Sequence, residues 1–336
     1  GNNAALNTND TVDLAGGRRI VGGIVDLGAY EDQYLVSPDA GGIVYVNVTS
    51  VGGNGSSWSN AADSLNIALD AANTDTSIHQ IWVAQGTYRP ASGQSFIMDK
   101  NVEIYGSFKG NETDISQRNL QAGLTSILMG NGSTVIVNDS NMLSNTALIN
   151  GFIIKGGKAA NGGGMYNNYS SPTITQCNFI GNTGTVNGGG IYNNNGSSPL
   201  LINCIFSGNT SNTYGGGMLN QSSSPTLINC LFSGNLTGIT GFGGGGAIFN
   251  YASSPILINC SLAGNMAPSG SGGGISNQNG SVPTLTNCII WGNSDGISGN
   301  NPAVTYSLIQ GWMGGGTANL PDTANPKFIN SPLYTT

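Results

Sequence analysis

Hydrophobic and polar positions recur in one fixed order five times between Asn161 and Asn293. Each copy passes from a glycine run through an apolar pair and Asn to a polar turn ending in Pro, then through a short apolar run containing Cys to a closing Gly-Asn. The copies read GGGMYN…SPTITQCNFIGN, GGGIYN…SPLLINCIFSGN, GGGMLN…SPTLINCLFSGN, GGAIFN…SPILINCSLAGN and GGGISN…VPTLTNCIIWGN. Cysteines fall at Cys177, Cys204, Cys230, Cys260 and Cys288, in steps of 27, 26, 30 and 28. Self-similarity at this period marks a solenoid or a propeller. Gly, Asn, Ser and Pro interrupt every window before two helical turns are complete, which excludes helical repeats. A four-stranded propeller blade needs roughly 40 residues, more than one copy supplies. Three short strands joined by turns do fit, and that is one rung of a parallel β-helix. The apolar positions form three columns, Ile174/Leu201/Leu227/Leu257/Leu285, Phe179/Phe206/Phe232/Leu262/Ile290 and Met165/Ile191/Met218/Ile248/Ile275. Three inward columns predict a three-sided core.

Polar columns account for the bends. One comprises Asn203, Asn229, Asn259 and Asn287, with Gln176 in the first copy; the other comprises Asn167, Asn193, Asn220, Asn250 and Asn277. Asn tolerates left-handed backbone and can hydrogen-bond to the copy above, so both columns read as structural ladders. Upstream, Ala61, Leu65, Ala68, Leu69 and Ala72 share one face at helical spacing, after Ser59 or Asn60 as N-cap. This predicts a helix near 60–72 that closes the open end of the solenoid, whose first rung would otherwise expose unpaired strand edges. Irregular rungs over 91–160 and one more in "NPAVTYSLIQGW" bring the expected total to roughly ten. The expected division is a terminal segment at 1–36, an all-β parallel β-helix at 37–312 and a C-terminal extension at 313–336.

Composition narrows the function classes. The chain holds 54 glycines, only 7% charged residues and a net charge of −7, against about 25% charged residues in ordinary domains. Nothing forms a basic stripe for nucleic acid or anionic lipid, and no apolar run reaches the ~18 residues of a membrane span. From Asn161 to Ser294 there is no Asp, Glu, Lys, Arg or His. Carboxylate pairs, calcium ligands and a basic catalytic side chain are therefore missing from the regular rungs. His79 stands without a nucleophile or carboxylate at motif spacing and reads as an exposed strand residue. Glu112 and Asp114 do not match a calcium loop and read as a solvated loop with an Arg118 ion pair. The expectation is no enzyme, no cofactor and no metal.

The five cysteines read as a core ladder of reduced, inert thiols, because in-register side chains point the same way rather than at each other. The Ser-Ser pairs before each Pro read as an outward row at a turn, a weak basis for ice binding because no T-x-T column persists. Tyr166, Tyr192 and Phe249 occupy one recurrent outward column, which leaves a sugar-binding stripe open. Triplets such as Asn47-Val48-Thr49 are glycosylation acceptors only where the source performs it.

Short motifs carry a family resemblance. GGAI at Gly245 to Ile248 and F-x-x-N at Phe179, Phe206 and Phe232 resemble the repeats of chlamydial polymorphic outer-membrane proteins, a class of right-handed parallel β-helices that also includes pectate lyases. Gly41 to Pro90, with GGNGSSW and IWVAQGTYRP, resembles the opening of bacterial surface β-helix proteins of the choice-of-anchor Q type. "DLAGGRRIVGGIVDLGAYE" resembles the segment that ends such a β-helix, although here it precedes the solenoid. The resemblance, with the general preference for right-handed crossovers, implies right-handed coiling and an extracellular or bacterial cell-surface location. The inverted order implies head-to-tail assembly of identical units into a fibre or adhesin. Val25, Asp26, Leu27 and Tyr30 of one unit would meet the region of Phe328 and Tyr334 of the next. Surface glycans are the other expected partner, through a glycan-binding or catalytically degenerate lyase-like face.

Overall fold

A computed structural model describes residues 36–120, 125–238 and 244–321, residues 324 and 326, and the backbone of 20–21 and 24–25. The chain winds as an all-β parallel solenoid with three long sheets of ten, nine and seven strands and a short fourth sheet of four. The third long sheet holds seven strands, so complete three-sided turns are fewer than the roughly ten expected.

One coil illustrates the path. Ile191–Asn194 lies in the seven-stranded sheet, Leu200–Ile202 in the ten-stranded sheet, Ile205–Ser207 in the nine-stranded sheet and Thr210–Ser211 in the short fourth sheet. Pairing between coils is in register, with Leu201 opposite Ile174 and Leu227, Phe206 opposite Phe179 and Phe232, and Ile191 opposite Met165 and Met218. All of these side chains are fully buried. The stacked rings Phe179–Phe206 and Phe206–Phe232 have centroids 4.9 and 4.4 Å apart and are parallel within 2°.

Backbone conformation separates the two predicted Asn columns. Gln176, Asn203, Asn229, Asn259 and Asn287 have φ between 52° and 55°, the left-handed bend that Asn adopts most cheaply among non-glycine residues. Asn167, Asn193, Asn220, Asn250 and Asn277 instead sit in strands with their side chains inside. From Asn138 to Asn277 each Nδ2 donates to the next Oδ1 at 2.9 Å, and Asn277 Nδ2 ends the chain on Asn300 O. A second buried ladder, unread from the sequence, runs through Asn182, Asn209, Asn235, Asn265 and Asn293. Its members also bind backbone. Each Oδ1 after the first accepts a main-chain N–H from the coil before it, and each Nδ2 donates to a carbonyl, such as Asn235 to Phe206 O at 2.9 Å. Buried polar groups persist only when hydrogen-bonded, and these ladders meet that condition along the axis.

The helix starts later than expected. It spans Leu65–Ala72 and follows a separate 3₁₀ turn at Trp58–Asn60; its N-cap is Ser64, which makes no side-chain cap bond. Ala61 and Ala62 are withheld from it because Ala62 bridges Val46, exchanging N–H and C=O with the first rung through Tyr45 O and Asn47 N. Leu65, Ala68, Leu69 and Ala72 are buried in the same core as Val44, Val46 and Ile81, so the helix covers the first rung. Ala61 belongs instead to an outer cluster with Tyr45, Trp82 and Phe108.

All five cysteines are free and buried. Burial pushes the Cys177 thiol up to about 12, and a hydrogen bond to the preceding thiol, Cys204 for Cys230 and Cys230 for Cys260, together with burial, does the same for Cys230 and Cys260. A protonated thiol is a poor nucleophile, so the native protein should react with an alkylating probe at pH 8 only as fast as it unfolds. The same shift sets a pH dependence. The raised thiols contribute stability fully below about pH 9 and lose it as pH rises towards about 12, because the unfolded chain ionises first. Tyr88 and Tyr192 are also pushed up to about 12 by burial and add to the slope at the upper end of that range. Thermal melts should therefore fall with pH across this window, less steeply in Cys230→Ala. An unchanged slope in that variant would remove the thiol from the account.

Candidate functional site

The outer surface of the seven-stranded sheet carries two parallel rows. The first reads Val137, Tyr166, Tyr192, Leu219, Phe249 and Ser276 along the axis; the second reads Asp139, Asn168, Asn194, Gln221, Tyr251 and Gln278. Strand alternation puts both rows outside while the Met/Ile and Asn columns face in. The aromatic column is not a bare stripe, contrary to the simplest expectation. Leu219 interrupts it, and Tyr192, Leu219 and Phe249 are buried at 5%, 2% and 2% exposure in a cluster with Tyr166 and Tyr214. The described part of the cover is strand Thr183–Asn187 of the short fourth sheet together with Tyr214. Tyr214 packs on Phe249 with ring centroids 4.5 Å apart, and Tyr166 on Tyr192 at 5.4 Å.

Between this wall and the amide row lies a groove of about 400 Å³. Leu219 and Phe249 form its floor, Val186, Asn187 and Tyr214 one side, and Gln221, Tyr251 and Gln278 the other. Tyr192 Oη donates to Gln221 Oε1 at 2.9 Å, which fixes the carboxamide at the edge of the groove. Asn194 Oδ1, one coil before Gln221, is a buried acceptor with no hydrogen-bond partner. Tyr251 is 43% exposed. Burial, then the neighbouring Tyr166, pushes the Tyr192 phenol up to about 12, so it stays neutral at physiological pH as it donates to Gln221.

A second depression, on the ten-stranded sheet, is lined by His79, Asn101, Glu103, Asn145, Thr146 and Leu148. Glu103 Oε2 is engaged by Gln80 Nε2 at 2.9 Å and by Tyr105 Oη at 3.0 Å. His79 is exposed just ahead of strand Gln80–Ala84. Among the described residues no group of three or more His, Cys, Asp or Glu converges as a metal site. Glu112 and Asp114 do not converge either. Burial pushes the Glu112 carboxyl up, but backbone amides of Lys109, Gly110 and Asn111 at 2.7–3.0 Å outweigh it and hold the group below its usual range. Asp114 caps the turn Ile115–Gln117 through Ser116 N. The expected solvated loop with an Arg118 ion pair is also corrected. Arg118 lies over the Tyr105 and Phe108 rings at 5.2 and 5.6 Å and donates to Gly106 O and Asn150 Oδ1.

Ser170, Ser197, Ser223, Ser253 and Ser281 are buried rather than outward, and Ser197, Ser253 and Ser281 Oγ accept the N–H of Ser170, Ser223 and Ser253 in the preceding coil. Only the second serine of each pair stays on the surface, and its Oγ is likewise bound to backbone, as in Ser224 N to Ser198 Oγ at 2.9 Å. Of the residues expected at an assembly interface, Val25 lies in strand Ile24–Val25, paired antiparallel with Ile20–Val21 as a two-stranded sheet of its own. Asp26, Leu27, Tyr30, Phe328 and Tyr334 lie outside the described residues. Among those described, no helix is long and apolar enough to cross a membrane.

Comparison with protein-family profiles and with curated proteins finds no match. Among solved structures, the chain is similar to the crystal structure of pectate lyase Pel9A, with 14% identity, a TM-score of 0.41 and 79% of each chain covered.

Proposed function

We infer that the chain is a non-catalytic structural solenoid of an extracellular or bacterial cell-surface assembly, of the kind its choice-of-anchor Q-like segments resemble. The observation that supports this reading most is where the polar side chains go. Over the regular coils the inward Asn side chains are committed to two axial ladders, and no ionisable acid or base other than thiols and tyrosines occurs between Asn161 and Ser294. General acid–base chemistry works best with a group that titrates near the operating pH, and the described surface of these coils offers only tyrosine phenols. Residues 1–36, which resemble a β-helix ending, would pack on the last rungs of a preceding unit, giving a head-to-tail fibre or adhesin stalk.

Incubation with polygalacturonate, alginate and neutral polysaccharides is expected to release no new chain ends; turnover of any of them defeats the reading. Sedimentation and electron microscopy of the full chain test the fibre part. Concentration-dependent filaments lost on deleting residues 1–34 support it, and a monomer at all concentrations removes it. A second reading, glycan binding without turnover, is favoured by the groove beside Tyr214 and Phe249.

A further inference from the structure

We propose that this groove takes an uncharged oligosaccharide lying along the solenoid axis, a proposal that rests on the glycan-binding reading and names its ligand class. A pyranose ring presents an apolar C–H face and an edge of hydroxyl groups. The sheet presents the complement over adjoining coils, with Leu219 and Phe249 on one row beside Gln221, Tyr251 and Gln278 on the other. Aromatic faces supply the stacking surface, and a few placed polar groups fix orientation.

The amide row differs from the ladders inside in one decisive way. Every inner Asn from Asn167 to Asn250 has both its donor and its acceptor used within the ladder. On the rim of the groove, by contrast, Gln278 makes no side-chain hydrogen bond among the described residues and Tyr251 Oη none either. Hydroxyl groups of a ligand would supply what is missing.

Charge selects within the class. A polyuronate needs Arg, Lys or a cation held by carboxylates against its own carboxylates, and the described lining of the groove includes no Arg, Lys, Asp or Glu. The one charged side chain on either row is Asp139, at the far end of the amide row, and it repels an anion. Length follows from the coils. The groove crosses the coils of Leu219, Phe249 and Gln278. With coils about 4.8 Å apart and a hexopyranose unit about as long as that spacing, the groove holds roughly three sugar units.

Calorimetric titration of the full chain should use β-linked hexasaccharides of glucose, xylose, mannose and N-acetylglucosamine, with hexagalacturonate with and without Ca²⁺ as the charged comparison. At least one neutral sugar is expected to bind. Tyr251→Ala should weaken that binding roughly tenfold and Gln278→Ala about threefold, with circular dichroism unchanged because both side chains stand at the surface. Binding of no neutral sugar, binding of hexagalacturonate alone, or neutral binding indifferent to both substitutions would each overturn the proposal. Chromatography of the same mixtures separates the two readings. Shortened products would defeat the non-catalytic reading and leave the site standing, whereas neither binding nor products would defeat the site and leave the scaffold.

Discussion

Asn235→Ala should destabilise the protein by about 4 kcal/mol or more, far beyond what an Asn on a solenoid surface would cost. The Asn235 carboxamide accepts from Asn209 N and Asn209 Nδ2 at 3.1 and 2.9 Å and donates to Phe206 O and Asn265 Oδ1 at 2.9 and 2.8 Å. Truncation strands two donors and one carbonyl at a site with no exposure, and each orphaned group costs roughly 1–3 kcal/mol. Asn265 Oδ1 keeps its bond from the Asn235 main chain, so that end of the break is softened. Asn229→Ala is the matched control. That side chain is exposed at a left-handed bend and reaches only Asn203, so its loss should cost about 1 kcal/mol. Urea unfolding of the two variants measures both. Equal, small effects would mean that the ladders follow the coil rather than hold it.

Gly189→Ala should be about as damaging, by about 3 kcal/mol, through a different cause. Its φ is not left-handed, so the objection to alanine is space alone. A Cβ there would collide with the carbonyl oxygens of Thr210 and Gly216, both in the next coil. Gly216 O cannot retreat without losing its bond from Gly190 N at 3.1 Å, so the coil spacing itself has to open, and overpacking of this kind costs about 1–3 kcal/mol or more. Gly196→Ala, where a Cβ meets nothing within 4 Å and only φ +78° opposes it, should cost about 1 kcal/mol. Thermal melting of the pair ranks them; Gly189→Ala no worse than Gly196→Ala would show that the glycine runs do not set the coil spacing.

The glycine runs also show how much could be read from residues alone. In four copies the third position is Gly, and in the copy where it is Ala247 the residue at the Phe position is Leu262. A Cβ at Gly217 would meet Phe232 Cδ1 at 2.8 Å, so the smaller neighbour makes room. The three apolar columns were legible because strand alternation and the coil period leave each of them one possible side. The second Asn ladder does have a signal in the repeat. Asn stands five residues after Cys in all five copies without exception, whereas the bend column admits Gln176. A bend needs only a left-handed residue, while a buried donor–acceptor chain needs a primary amide of one length.

Two features lay beyond such reasoning. The helix start at Leu65 rather than near residue 60 depends on Ala62 pairing with Val46, a tertiary contact with no local trace. The burial of Tyr192 and Phe249 depends on Tyr214 and on the fourth-sheet strand Thr183–Asn187, of sequence TGTVN. Strands that short and polar give no periodic signal, so the groove they wall could not be foreseen.

The in-register stacking has a consequence for how such a chain changes over generations. Every ladder and every ring stack meets its neighbour through the same groups on both sides, so a whole coil can be duplicated or lost and the flanking coils close onto each other with their contacts intact. Near-identical coding segments recombine readily, so the molecule's reach can be lengthened or shortened in units of one coil. An insertion of one residue within Leu227–Asn235 would instead throw two columns and a ladder out of step. The natural step of 30 between Cys230 and Cys260 leaves both ladders closed across it, Asn220 on Asn250 and Asn235 on Asn265, so extra residues are tolerated only outside those columns.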